Sequence, residues 1–191
     1  MRRAALVAAV AWSLGRAALA SGQVSCPAGT HVERFGDDKK GEEWCVKDAG
    51  GGRQGPLHGW VRGFTIDGTF TSDKADGTFT GRWPNGQPAG EVLLRNGLVQ
   101  GKLVTWHDNG RLFGECAFTN GQITTPLVLF DADGRKRAVF EPVAGGQLQL
   151  AHVWDATGRE TSRQRSLKEI FPVEHQFLEW VMRHTKTRRA E

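Results

Sequence analysis

Trp83-Pro84-Asn85-Gly86-Gln87, Trp106-His107-Asp108-Asn109-Gly110-Arg111, Phe130-Asp131-Ala132-Asp133-Gly134-Arg135 and Trp154-Asp155-Ala156-Thr157-Gly158-Arg159 are variants of one segment. Asn85, Asn109, Asp133 and Thr157 stand 24 residues apart, and Gly86, Gly110, Gly134 and Gly158 follow them. An aromatic side chain precedes each turn, and one residue further upstream extends the series to Trp60, Trp83, Trp106, Phe130 and Trp154. A constant period of about 20–50 residues marks a repeat architecture, and it decides the fold class before any residue suggests a chemistry.

Within one unit, Lys102-Leu103-Val104-Thr105-Trp106 reads as a strand, Asn109-Gly110 as a tight turn and Leu112 to Thr119 as a second strand. Asn120-Gly121 leads on to the next unit, and Asn85-Gly86 and Asn96-Gly97 do the same work one unit earlier. Asn-Gly is the strongest two-residue hairpin signal, because both central residues of a type I′ turn need positive φ. Turns this closely spaced imply antiparallel hairpins rather than βαβ units. The chain from 55 to 162 is therefore expected to be an elongated antiparallel meander of about five hairpin repeats in a single sheet. Stacking the units aligns the five aromatics as a ladder on one face. Each large ring buries roughly 150–250 Å², so the ladder serves as core, or it serves as a ligand-stacking row. A lone hairpin is marginal and needs its neighbours to bury its apolar face.

The ends read differently. Arg2-Arg3, the apolar run Ala4 to Leu14 and Ala18-Leu19-Ala20 form an export signal over 1–20, with cleavage before Ser21. That run is too short for a membrane span, which takes about 20 apolar residues, and no later stretch approaches the length. The expected location is periplasmic or secreted. The full chain carries 25 Lys+Arg against 21 Asp+Glu; losing Arg2, Arg3 and Arg16 leaves 22 against 21, or +1 in place of +4. Near-neutral charge gives no basic stripe for nucleic acid.

Cys26 and Cys45 bracket a short Gly-rich, charged segment, and in an oxidising compartment they are expected to pair. Lipid attachment at Cys26 is the other reading, although Gln23 stands where such a site wants an aliphatic residue. Cys116 then remains as a small buried apolar side chain. Residues 21–54 form this N-terminal cap and a Gly-rich linker. The linker string Gly50-Gly51-Gly52-Arg53-Gln54-Gly55 fits G-x-G-x-x-G, but Pro56 and Gly59 oppose the helix that a dinucleotide site needs. Beyond 162 the period becomes helical. Pro172, Val173, Phe177, Trp180 and Val181 predict an amphipathic helix over about 173–185, placed to cap the last apolar edge of the array. Arg183, Lys186, Arg188 and Arg189 follow as a solvated basic tail within 163–191.

No catalytic, cofactor or metal set emerges. His175 and Glu179, four apart with His184 further along, lack a zinc pattern, and Asp131-x-Asp133-Gly134 lacks the later ligands of a calcium loop. Turn chemistry accounts for the latter pair.

The units Trp-x-Asn-Gly-Gln and Trp-x-x-Asn-Gly-Arg, with a short strand and Asn-Gly behind them, resemble MORN-type repeats, closest to the bacterial YwqK-type antitoxin repeat. The lead-in Cys26-Pro27-Ala28-Gly29-Thr30, through Glu43-Trp44-Cys45 to Gly55-Pro56, is similar to that of exported myxobacterial members. The resemblance covers about residues 26–160. It implies an elongated sheet used for binding or scaffolding a protein or cell-envelope component, with no catalytic residues to carry over. The chain departs from the usual unit in having no Tyr at all. The alternatives from other classes are an envelope enzyme acting on glycan, which requires a deep pocket with paired carboxylates or a His–acid pair, and an antitoxin-like neutralising protein, which an export signal opposes.

Overall fold

In the computed structural model, residues 24–144 and 147–161 are described, together with Phe177 and Val181. They are mainly β: one open antiparallel sheet of 13 strands in a meander. In chain order the strands are β1 (Thr30–Gly36), β2 (Lys40–Lys47), β3 (Arg53–Val61), β4 (Phe64–Thr71), β5 (Lys74–Ala75), β6 (Gly77–Arg82), β7 (Pro88–Arg95), β8 (Leu98–Trp106), β9 (Leu112–Thr119), β10 (Gln122–Ile123), β11 (Leu127–Phe130), β12 (Lys136–Val143) and β13 (Gln147–Val153). Neighbours in sequence are neighbours in space, with β5 and β10 as short flaps on β4 and β9. The expected cap over 21–54 is not separate from the array, because β1 and β2 extend the same sheet and β2 pairs directly with β3. The Gly-rich string is accordingly a connection between paired strands, and its second half lies in β3.

From Ser72 onward the two rims of the sheet use different turns. On one rim Ser72-Asp73, Asn96-Gly97 and Asn120-Gly121 recur every 24 residues. Their φ values are 48° and 65°, 52° and 80°, and 52° and 78°, the both-positive signature of type I′. On the other rim Asn85 and Asn109 depart from expectation: only Gly86 and Gly110 have positive φ, at 83° and 79°. Gly86 N–H donates to the Trp83 carbonyl at 2.8 Å, and Trp83 N–H to the Gln87 carbonyl at 2.9 Å. These are three-residue loops that end in a left-handed glycine. The asparagine amide is used otherwise. Asn85 and Asn109 Oδ1 each accept the N–H two residues on, while their Nδ2 groups donate to the Asp108 and Ala132 carbonyls of the following unit. Where Asp133 and Thr157 replace asparagine, Asp131 and Asp155 accept the turn N–H groups instead. That engagement holds the Asp131 carboxyl below its ordinary value: burial raises it, but the Arg135 and Asp133 N–H groups and the Arg135 and Arg137 guanidinium groups outweigh burial.

One face is the core. Cross-strand register lines up Gly59, Ile66, Gly81, Gly90, Thr105, Gly114, Leu129, Ala138 and Val153 in a single row across it. The glycines make a trench that larger side chains fill. A Cβ on Gly114 would lie 2.5 Å from Leu129 Cδ2, and a Cβ on Gly90 would lie 2.3 Å from Phe177 Cδ1. Phe177 also covers Gly81, and the buried Thr105 hydroxyl donates to the Gly114 carbonyl at 3.0 Å. The expected helix over 173–185 lies outside the described residues except for Phe177 and Val181, which are helical and each 1% exposed. Phe177 sits on β6 and β7 in the middle of the sheet, not over its last edge. The trench is there, and a flat ring fits it, so the expected end cap is corrected to a contact on the sheet face.

Candidate binding face

The face opposite the core carries its own order. Register places Glu43, His58, Asp67, Thr80, Glu91, Val104, Glu115, Val128, Val139 and His152 in one row from β2 to β13. Two residues nearer the three-residue loops on the same face stand Trp60, Trp106, Phe130 and Trp154, the position that alternates with buried Gly59, Thr105, Leu129 and Val153. Each is only partly buried. Trp106, Phe130 and Trp154 recur on every second main strand, about 10 Å apart at twice the ordinary strand spacing, whereas Trp60 on β3 stands four strands from Trp106 on β8, about 20 Å away.

Trp83 does not belong to this row. In its turn it takes the position that His107, Asp131 and Asp155 take in the others, and Arg82 takes that of Trp106. One residue of slip moves a side chain to the opposite face. Trp83 is therefore 7% exposed, edge-on to Phe64 at 5.6 Å. The five-membered ladder expected from spacing divides into four outer aromatics and one core tryptophan. The sequence carried the signal in the shorter step from Trp83 to Trp106, 23 residues where the next is 24. The inner position has its own lateral bonds. Trp83 Nε1–H donates to the Trp106 carbonyl, and His107 Nε2 bonds the Phe130 carbonyl, both at 2.9 Å. A carbonyl only accepts, so His107 carries its proton on Nε2 there. Buried at 2% exposed and edge-on to Phe113 at 5.2 Å, His107 is a structural core histidine.

At the ends of the outer row the tryptophans are dressed by polar groups in the same way. His58 stacks on Trp60 at 5.9 Å and donates Nδ1–H to Asp67 at 2.7 Å. His152 stacks on Trp154 at 5.8 Å and bonds Glu160 at 2.6 Å. The Arg34 guanidinium lies 4.7 Å from the Trp60 ring centre, and the Lys136 ammonium 5.6 Å from that of Trp154. Trp60 lies on Gly41, where a Cβ would meet the ring at 2.4 Å, and its Nε1–H donates to the Asp37 carbonyl at 2.7 Å. Towards the C-terminal side, Val104, Leu112, Val128 and Val139 join Trp106 and Phe130 in an apolar stripe. The turn residues Asn85, Asn109, Asp133 and Thr157 line the rim beside this face and do not enter it.

Compared with protein-family models and with curated protein sequences, the chain matches none.

The expected bond between Cys26 and Cys45 is present, with Cα atoms 5.5 Å apart, and it is compatible with an oxidising location. Cys116 is buried. Burial, and next to it the Glu115 carboxylate, push its thiol up to about 12, so it stays protonated and unreactive. Among the described residues no group of three or more His, Cys, Asp or Glu is placed to hold a metal ion, and no helix is long and apolar enough to cross a membrane. Sequence reasoning missed the polar row. Two His-x-Trp segments, His58-Gly59-Trp60 and His152-Val153-Trp154, were its visible trace.

His58 gives this face a pH dependence. The hydrogen bond to Asp67 raises its pKa above the ordinary 6.5; burial opposes this, and the Asp67 and Glu43 charges add to it. The folded chain thus holds the proton more tightly than the unfolded one. The stabilisation is complete below the unfolded value and disappears as pH rises through the folded one. We expect Asp67→Asn to lower the His58 pKa in an NMR titration. The stability gap between wild type and variant should be largest near pH 5 and shrink by pH 9. A gap that widens with pH contradicts the assignment.

Proposed function

We propose that the chain is an exported, non-catalytic repeat module of MORN type that binds a protein or a cell-envelope component through its outer face. The observation that carries this reading is the row of Trp60, Trp106, Phe130 and Trp154, kept partly exposed on the face turned away from the core. Aromatic residues held on rigid strands are strong contact anchors, because they offer large area at little entropic cost. Such a row has no need to be aromatic for folding alone, since the opposite face already supplies the core cluster. The export-type N-terminus and the Cys26–Cys45 bond support a contact outside the cytoplasm, in the periplasm or beyond.

The test is crosslinked capture from the envelope fraction with mass spectrometry, using wild type and a Trp106→Ala/Phe130→Ala double variant with an unchanged fold. Wild type should recover a specific partner that the variant loses, and the recovered chain should begin at Ser21. Equal recovery by both proteins would place the contact elsewhere.

A further inference from the structure

The outer face contains the same frame twice. In the first copy His58 is flanked across the sheet by Glu43 and Asp67, with Trp60 two residues along its strand. In the second, Val104 is flanked by Glu91 and Glu115, with Trp106 two residues along. A carboxylate therefore stands on each neighbouring strand, and a tryptophan ring closes one end. Directly paired side chains lie about 5 Å apart and their diagonal neighbours about 7–8 Å, so the carboxylates and the ring edge one shallow site.

The first copy is filled by the chain's own basic groups. His58 stands between the carboxylates, donating to Asp67, and Arg34 lies over the Trp60 ring. The second copy has the same frame filled only in part, by Lys102 on the Glu115 side. Val104 is neutral, Glu91 is exposed, and among the described residues Glu91 is in no ion pair. Lys102 faces the site from below, with Nζ 3.6 Å from Glu115 Oε2; both partners are largely exposed, so that pair is weak and exchangeable. Arg82 is the other nearby cation and lies at the rim of β6.

We propose that Trp106, Glu91 and Glu115 form a binding site for a lysine or arginine side chain on an extended segment of a protein partner. The first copy shows each half of that chemistry on a separate group: Arg34, itself paired with Asp38, lies over the Trp60 ring, and His58, between the carboxylates, donates to Asp67. A cation on a tryptophan ring gains from the ring quadrupole, and the flanking carboxylates add charge-assisted hydrogen bonds. The partly exposed Val128 and Phe130 beside the site would take the aliphatic part of the same segment. This inference rests on the outer face being the binding surface.

The experiment titrates the mature chain with hexa-arginine, hexa-glutamate and a neutral β-linked hexasaccharide, followed by calorimetry at low and at moderate salt. Hexa-arginine should bind, and hexa-glutamate should not. Trp106→Leu, which keeps an apolar side chain, and Glu91→Gln/Glu115→Gln should each weaken hexa-arginine at least tenfold, while Asp133→Asn on the rim should leave it unchanged. Should Trp106→Leu prove unstable, the exposed carboxylate variant carries the test alone. Unchanged hexa-arginine affinity in the carboxylate variant overturns the proposal. Binding of the neutral sugar with loss in Trp106→Leu, and no binding of hexa-arginine, keeps the binding face but removes the cationic ligand. If no outer-face substitution affects any probe, both fall.

Discussion

Phe177→Ala is expected to destabilise the protein by about 3–5 kcal/mol, the cost of removing a fully buried phenylalanine and leaving its cavity. Phe177 is 1% exposed, and its ring lies across the Gly81–Gly90 cross-strand pair. Backbone on one side of the cavity cannot move in to fill it, because those two strands are tied to the rest of the sheet. Gly90→Ala tests the same contact from the other side. Its Cβ would lie 2.3 Å from Phe177 Cδ1, and a buried ring is not a flexible end that can swing aside. Overpacking of this kind costs about 1–3 kcal/mol. In the Phe177→Ala background the new methyl has room, so the cost of Gly90→Ala should vanish or reverse. Urea denaturation of the four proteins gives the coupling free energy directly. Additive effects within about 0.5 kcal/mol would show that Phe177 does not fill the glycine trench.

Loss of the disulfide is the second large effect. Cys26 and Cys45 are 19 residues apart in sequence, a loop whose closure is worth about 3 kcal/mol of unfolded-state entropy. Cys45 is 0% exposed on β2, while Cys26 belongs to the segment ahead of β1. That segment also holds to its neighbours through Val24 N–H on Glu43 Oε1 at 3.0 Å, Asp48 N–H on the Gly29 carbonyl at 3.0 Å and Pro27 over Gly55. The double variant Cys26→Ser/Cys45→Ala should lower stability by about 3 kcal/mol, and hydrogen exchange should show β1 and β2 opening before β6 to β9. A loss under about 1 kcal/mol, or uniform exchange, would mean that packing alone fixes the first two strands. Native thiol labelling provides the companion reading: Cys116 should stay unlabelled until the sheet unfolds, because its thiol is buried and protonated.

The architecture was legible because its signals are local. Each Gly of the repeat turns has positive φ; the strand inferred after Asn109-Gly110 matches β9 at both ends, and the one before it ends with β8 at Trp106, although β8 begins at Leu98 rather than Lys102. A turn fixes its φ values within a few residues, so spacing suffices to find it. Turn type was less legible. Asn96-Gly97 and Asn85-Gly86 are the same dipeptide, yet the first makes a type I′ hairpin and the second a three-residue loop. What separates them is how many residues the flanking strands leave unpaired, and that depends on register with the neighbouring strand. Ser72-Asp73 makes the converse point. It adopts the I′ conformation without glycine, because its place between β4 and β5 demands it.

The aromatic series shows where sequence stops. A period of 24 established that hairpins repeat and that an aromatic stands before each turn, and the place of Cys26 and Cys45 around a short Gly-rich, charged segment pointed to the disulfide pair. It could not establish which way each ring points. Trp83 and Trp106 look alike in sequence and lie on opposite faces, since a single residue of slip reverses the side chain. Nor could it bring Glu91, Val104 and Glu115 side by side, or lay Phe177 over Gly81 and Gly90. Those relations join residues on different strands, or far apart in the chain. Cross-strand register and the packing of a distant side chain decide them, and both exist only once the sheet has formed.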